Sequence, residues 1–382
     1  MTKGVPQLAV VMSGGGARAA YQVGLLRFLA QRFPELHPPI LTGVSAGAIN
    51  AAYLASHQGS YAEAVEDLTV LWRSITPESI FRTDTIHLGR SFLRWALRFL
   101  SGGSHAVPPT RGMVDTEPLR QLIENAIPTR NGELVGINQN IERGRLRAVG
   151  ITTSSYDTGQ SITWVQGDNA QVWARPRRRG VSSAVQIEHI LASTALPLVF
   201  PAVKLGNEWH GDGGIRLTAP LSPALHLGAD SIIAISTRHD HTRSNNPPPS
   251  MIHGYPPPAQ IIGALTNAVF LDMFDYDAQN MNRLNRLIAN LPPDKRHGLR
   301  ETAVLILRPS EDLGRLASNY EFRLPGPFRF FTRGFGTRDT DSPDSLSLLM
   351  FEPHYLEYLI RLGESDAQAR ADEIVEFMQA ST

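Results

Sequence analysis

Two stretches within the first 57 residues each run from a short apolar segment through a glycine-containing turn into a helix-like sequence. They are LAVVMSGGGARAAYQVGLLRFLA at 8–30 and PPILTGVSAGAINAAYLASH at 38–57. Short apolar runs bounded by glycine suit buried parallel strands, and parallel strands need crossover helices between them. Residues 8–12 read as the first strand. The helix after it spans about Ala17 to Gln31, with Val23, Leu26, Leu29 and Ala30 on its apolar face. Strand, turn, helix, repeated twice, predicts an α/β fold with a central, mainly parallel sheet.

Further along, residues 61–127 look mainly helical. RLRAVGITTSSYDTG and QSITWVQG then alternate like a hairpin with a polar turn at Asp157 to Gln160. A helix is expected over 183–195, a tight turn over WHGDGGIRLTAPL, and a buried strand over 231–237. The Pro- and Asn-rich stretch 244–258 separates a core over 1–243 from a mainly helical region over 259–382. That region has a long helix at 259–291, one strand at 303–308 that packs on or joins the core, and two helices over 346–380.

Glycine turns after strands hold phosphates, cofactors or oxyanions, so the first turn needs a chemistry. Gly14, Gly16 and Ala19 match the dinucleotide pattern G-x-G-x-x-[GA]. That pattern also wants an acidic residue at the tip of the second strand to hold a ribose. Here the second strand runs into Ser45, and Glu35 lies before it, at the wrong end. A phosphate-binding Walker loop fails because no Gly-Lys-Ser/Thr occurs. Dinucleotide binding stays as a minor alternative.

Gly43-Val44-Ser45-Ala46-Gly47 is a G-x-S-x-G placed between a strand and a helix. In that position a serine sits on a sharp turn with its hydroxyl exposed, and small neighbours let the turn close. The following helix N-terminus favours negative charge developing there. A serine nucleophile needs a base and an oxyanion hole. His210, His239, His241 and His253 read as solvated loop residues, and His189 as a packed or capping residue of a helix, so a histidine-based triad has no support. A third motif, Asp212-Gly213-Gly214, follows a short strand; in isolation such a sequence is usually just a turn.

SGGGARAAYQVG, GVSAGAIN, ASTALPLVFPAV and DGG occur in the order and approximate spacing of the patatin-like phospholipases, which the chain resembles over nearly its whole length. VDTEPLRQLIE, LSPALHLGAD, VLILRPSEDLG and SLLMFEPHYLEYLIRLG extend the resemblance. It implies a three-layer α/β/α fold and a Ser–Asp dyad without histidine. Ser45 would attack an ester carbonyl, Asp212 would act as general base, and Gly14, Gly15 and Gly16 with Arg18 would form the oxyanion hole. Gly43 and Gly47 would shape the elbow around Ser45. The implied substrates are phospholipids, lysophospholipids or related lipid esters, with no metal and no cofactor. An acyltransferase using the same acyl-enzyme, or a non-catalytic lipid-binding or regulatory protein of the same fold, are the alternatives. Ala19 stands where many relatives carry glycine, and Ala20-Tyr21-Gln22 is bulkier than usual. These departures point to substrate choice.

Charge narrows the partners. Lys and Arg together balance Asp and Glu at 36 each, so no global field attracts nucleic acid. The basic residues are almost all Arg, which reads as codon bias. HLGRSFLRWALRFL at 87–100 sets Arg90, Arg94 and Arg98 at i, i+4 spacing beside bulky apolar residues, a pattern for peripheral membrane contact or an ordinary packed helix. Arg175 to Arg179 (RPRRR) forms a basic patch that reads as a solvated loop, with contact to anionic headgroups as the alternative. The absence of cysteine leaves the redox compartment open, while no signal-like segment and no apolar run long enough to span a bilayer lead one to expect a cytoplasmic setting.

Overall fold

The computed structural model describes residues 7–82, 112–168, 172–239, 261, 273–297, 299–334 and 344–381. The stretches 87–100 and 244–258 lie outside the described residues, and the long helix expected over 259–291 is described as Met273–Ala289.

The strands follow in chain order as β1 (Leu8–Met12), β2 (Ile40–Val44), β3 (Thr129–Arg130), β4 (Glu133–Leu134), β5 (Ala148–Ser155) and β6 (Ser161–Gly167). After them come β7 (Ala174–Arg175), β8 (Arg178–Ser182), β9 (Val203–Leu205), β10 (Glu208–Asp212), β11 (Ser231–Ile235) and β12 (Ala303–Leu307). All but the β3–β4 hairpin join one sheet in the order β12-β11-β1-β2-β5-β6-β8-β7, with β10 paired to both β5 and β9. From β12 to β5 every pairing is parallel, as the apolar runs AVLIL, SIIAI, LAVVM and ILTGV lead one to expect. β5 and β6 form the expected hairpin. The result is an α/β protein whose central, mostly parallel sheet is flanked by helices.

The helices that build and support the site are α1 (Ala20–Arg32), α2 (Ala46–Ser56), α3 (Tyr61–Ser74), α4 (Glu117–Ala126) and α5 (Ile187–Ser193). Later in the chain come α6 (Ser222–His226), α7 (Met273–Ala289), α8 (Asp344–Leu349) and α9 (Pro353–Ala369). Side chains alternate across a strand, so β1 feeds two cores. Leu8, Val10 and Met12 pack with apolar residues of α1, α2, α3 and α9, whereas Ala9 and Val11 pack with Ala224 of α6 and Phe274 and Ala278 of α7.

The late strand lies in the sheet, with Ser231 to Ile235 opposite Ala303 to Leu307. Helix α9 crosses α1 at backbone contact. A Cβ on Gly24 would come 1.9 Å from the Ile360 carbonyl oxygen, and one on Gly363 2.2 Å from that of Tyr21. Alanine at either position would force the helices apart. The expected pair of C-terminal helices is three, because Glu352 caps a new helix at Pro353 and a further helix runs over Ala371–Ala380. The expected first helix begins as a tight 3₁₀ turn at Gly16–Ala19 before α1 proper.

One register decides the site. β2 ends at Val44, opposite Thr152, while β5 continues to Ser155. The exposed edge of that overhang is taken by β10 running the other way, with Asp212 opposite Thr153 and His210 opposite Ser155. Ser45 and Asp212 lie 167 positions apart in sequence (212 − 45) yet flank neighbouring residues of one strand.

Candidate active site

Ser45 leaves β2 and caps α2 with φ 55° and ψ −132°, in the left-handed half of conformational space that a residue with a Cβ rarely enters. The turn closes only because its neighbours lack side chains. A Cβ on Gly43 would sit 2.3 Å from the Gly47 carbonyl oxygen, and one on Gly47 2.5 Å from the carbonyl oxygens of Met12 and Ser13. The start of α2 thus abuts the end of β1. The Ser45 N–H donates to Ser193 Oγ at 2.9 Å, and the Ser193 hydroxyl donates to the Thr152 carbonyl at 2.6 Å. Ser193→Ala would leave a buried N–H and a buried carbonyl unpaired, a loss of about 1–3 kcal/mol. We expect a lower melting temperature and slower ester hydrolysis in that variant, and thermal melts read alongside initial rates check it.

Asp212 is fully buried at the end of β10. Its Oδ1 accepts the Gly214 N–H at 2.8 Å, which also starts the next helical turn. Oδ2 is buried without a well-formed hydrogen bond. The Ser45 hydroxyl and the Gly214 N–H both favour the charged carboxylate, but desolvation is the larger effect and pushes the pKa from 3.8 to about 7. A carboxyl that titrates near neutrality can both take and return a proton.

The glycine loop completes this end of a cavity. Gly15 and Gly16 have φ values of 149° and 55°, and both line the cavity with Ser45 and Asp212. Among the described residues, no acceptor meets the N–H groups of Gly14, Gly15 or Gly16. A Cβ on Gly16 would lie 2.1 Å from the Leu348 carbonyl oxygen, so the loop also presses on α8.

Arg18 is buried and reaches α8. Its Nε donates to Ser347 Oγ at 2.6 Å, and its Nη2 bonds the Asp344 carbonyl and carboxylate. It braces the loop through a segment more than 300 positions away in sequence. Behind the loop, Gln22 donates to the Ser13 carbonyl at 2.7 Å, Asn50 donates to Gln22 at 2.9 Å, and Trp72 donates to Asn50 at 2.7 Å. This buried chain ties the loop to α2 and α3.

Beyond Ser45 the cavity is apolar. It encloses about 880 Å³, part of it open to solvent, walled by Ile49, Tyr53, Leu71 and Trp72 from α2 and α3, Leu119, Leu122 and Ile123 from α4, and Leu348 and Leu349 from α8. Leu196 and Phe200 close another side. Neither Ser193 nor the α8 wall was legible as part of the site. Both come from contacts between distant segments, and the only signal was the family-like wording of ASTALP and SLLMFEP.

Several expectations change. Ala19, Ala20, Tyr21 and Gln22 do not line the cavity. Ala19 is fully buried, the Tyr21 hydroxyl bonds Asp366, and Gln22 serves the buried chain. His210 is no solvated loop residue. It is 1% exposed on β10, its ring bonded to Thr153 at 3.1 Å, since the stretch read as a turn continues as a sheet strand. His189 caps the start of α5 and stacks on Trp164, and burial lowers its pKa to about 4, so it stays neutral. Among the described residues no histidine lines the cavity. The basic RPRRR stretch is a hairpin between β7 and β8 rather than a free loop. Among the described residues no cluster of three or more metal-ligating side chains occurs, and no helix is long and apolar enough to cross a membrane.

Residues 10–225 match the family model described as patatin-like phospholipase. Similar solved structures include human GIVD cytosolic phospholipase A2, at 14% identity over 99% of this chain and 60% of that one, with a TM-score of 0.48. VipD from Legionella pneumophila is 12% identical over 90% of this chain and 66% of its own, with a TM-score of 0.36. ExoU, a type III effector from Pseudomonas aeruginosa, is 15% identical over 93% and 53%, with a TM-score of 0.32. The chain spans less than two thirds of the length of each of these structures. No curated protein sequence matches it.

Proposed function

Because the chain belongs to the patatin-like phospholipase family, we propose that it is a serine hydrolase cleaving acyl esters of phospholipids, lysophospholipids or related lipids through Ser45 and Asp212. The observation that carries this reading is one cavity. Ser45, a buried carboxyl titrating near 7 and two glycines with free N–H groups open together into an apolar pocket. The polar end suits a scissile ester and the apolar length suits an acyl chain.

Ser45 Oγ attacks the carbonyl carbon while Asp212 takes the hydroxyl proton. The carbonyl oxygen gains negative charge and moves toward the N–H groups of Gly14, Gly15 and Gly16, with the α2 N-terminus adding a favourable field. Collapse expels the alcohol, which leaves with the proton held by Asp212. Water then enters and attacks the acyl-enzyme carbonyl as Asp212 takes its proton. Collapse breaks the bond to Ser45 Oγ, which receives that proton from Asp212, freeing the fatty acid and restoring both groups. Arg18 acts through the loop it braces.

A fluorophosphonate probe followed by peptide mapping tests the assignment. One adduct on the peptide containing Ser45 is expected, and an intact protein that takes the label elsewhere or not at all overturns it. The acyl-chain role of the pocket makes a separate prediction. Ile49 lies one helical turn beyond Ser45 on α2 and lines the pocket. Ile49→Phe should shorten the usable length, lowering kcat/KM for long-chain esters roughly 10-fold or more. Turnover of butyrate esters should change little, and a chain-length series of p-nitrophenyl esters reads the difference.

A further inference from the structure

We propose that the end of the sheet beside the cavity is a docking surface for an anionic lipid bilayer, with Leu198, Trp209 and Tyr156 as apolar contacts and Arg175, Arg177, Lys204 and Arg216 as the charged surround. This goes beyond the hydrolytic reading and uses none of its reacting groups.

The surface is built by register. Lys204 on β9 pairs with Trp209 on β10, whose carbonyl accepts the Tyr156 N–H at 2.8 Å just past the end of β5. On the other side of the Asp157–Gln160 turn, Ser161 begins β6 and pairs with Arg178 on β8, which pairs in turn with Arg175 on β7. The Ser161 N–H donates to the Arg177 carbonyl at 2.9 Å. A Cβ on Gly159 would lie 3.7 Å from Arg216 Nη2, so that guanidinium overhangs the same turn. These are the ends of adjacent strands, on the side of the sheet where β2 delivers Ser45.

The exposed side chains there are unusual. Leu198 is 68% exposed, and its φ of 67° is costly for a leucine. Its backbone is held because the Met113 N–H bonds the carbonyls of Leu198 and Val199. In sequence it stands between Leu196 and Phe200, both of which line the cavity. Trp209 and Tyr156 are 43% and 48% exposed. The Tyr156 hydroxyl leans over Gly211, next to Asp212, where an added Cβ would meet it at 2.1 Å.

Charge completes the match. Arg175, Arg177, Lys204 and Arg216 are exposed, and none forms an ion pair among the described residues. The nearby carboxylates are engaged: Glu208 with Arg179 and the Ser155 hydroxyl, Asp157 with the Trp209 N–H. A chain with no net charge therefore presents a local excess of free cations around exposed aromatic and aliphatic groups. Tryptophan and tyrosine settle at headgroup depth, and free cations are drawn to anionic lipid. A surface with both, at the strand ends where β2 also delivers Ser45, fits a bilayer better than a folded partner with a shaped interface.

The test uses the full chain carrying Ser45→Ala, so that vesicle lipid survives, sedimented with phosphatidylcholine vesicles with and without about 30% phosphatidylglycerol at low and high salt. Binding to the anionic vesicles that falls with salt is expected. Adding Arg175→Glu and Arg177→Glu should lower the partition coefficient roughly 30-fold or more. Trp209→Ala should weaken binding to both vesicle types. With Ser45 restored, hydrolysis of a water-soluble butyrate ester should be unchanged by the charge reversals. Anionic vesicles that leave the parent protein in the supernatant overturn the proposal, as does equal binding by the charge-reversed form. A chain that binds vesicles as described but hydrolyses no ester sinks the hydrolytic reading and leaves this one standing.

Discussion

Alanine at position 45 should lower hydrolysis of a lipid ester by about 10⁵-fold or more, the scale seen when a serine nucleophile is removed. The expectation rests on a single oxygen. Ser45 Oγ is the one hydroxyl held at the joint between β2 and α2 that also faces a buried carboxyl. The strained backbone around it does not depend on that oxygen, because the Ser45 N–H supplies the bond to Ser193. The variant should therefore fold with its elbow intact and melt within a degree or two of the parent. Steady-state turnover and a fluorophosphonate label, both lost while the melt is unchanged, is the expected pair of results. Residual turnover above a hundredth of the parent rate would assign the nucleophile to another group.

Asp212→Asn should be nearly as inactive, yet more stable at neutral and alkaline pH. Its folded pKa of about 7 lies above the ordinary 3.8, so between about pH 4 and 7 the folded chain keeps a proton that the unfolded chain has lost. Stability from this group is complete below pH 4 and declines as pH rises through that window. Above it, the folded protein carries a desolvated charge at a cost of about 4 kcal/mol, since each tenfold change in proton affinity is worth about 1.36 kcal/mol. Asparagine removes the charge and keeps an oxygen for the Gly214 N–H. Melting temperatures measured from pH 4 to 9 should converge at the acid end and separate by several degrees at the alkaline end. The same titration sets activity. Below pH 7 the parent kcat/KM should fall about tenfold per pH unit as Asp212 takes up its proton. A flat acid limb, or an Asn variant no more stable at pH 8, would place the working base elsewhere.

Much of this is legible in the sequence itself, for a physical reason. Gly43, Ser45 and Gly47 must occur at fixed spacing because the constraint is the backbone of one turn. Gly14 to Gly16 are similarly local. β1, β2 and β11 stood out as short, mostly apolar runs because both their faces are buried, and β12 as a similar run at the sheet edge. β10 shows where such reading fails. In Glu208-Trp209-His210-Gly211-Asp212 hydropathy suggests an inward tryptophan and an outward histidine, whereas Trp209 is exposed and His210 and Asp212 are buried. The buried polar side chains meet partners on other elements: Thr153 bonds His210, the Gly214 N–H bonds Asp212 Oδ1, and the Ser45 hydroxyl faces the carboxyl. Ser193, the Gln22–Asn50–Trp72 chain and the α8 wall were hidden similarly. Each is an ordinary polar or apolar residue whose partner lies far along the chain.

The overhang of β5 past β2 has a consequence for how chains of this design can diverge. The loops that join the elements can lengthen or shorten without moving Ser45 toward or away from Asp212, because that separation is set by adjacent rungs at Thr152 and Thr153. A single inserted or deleted residue there would shift β10 by one step and turn the Asp212 carboxyl to the opposite side of the sheet. The proposed catalytic pair is thus indifferent to changes in loop length, and intolerant of a one-residue change within a stretch of β5 that contains neither Ser45 nor Asp212.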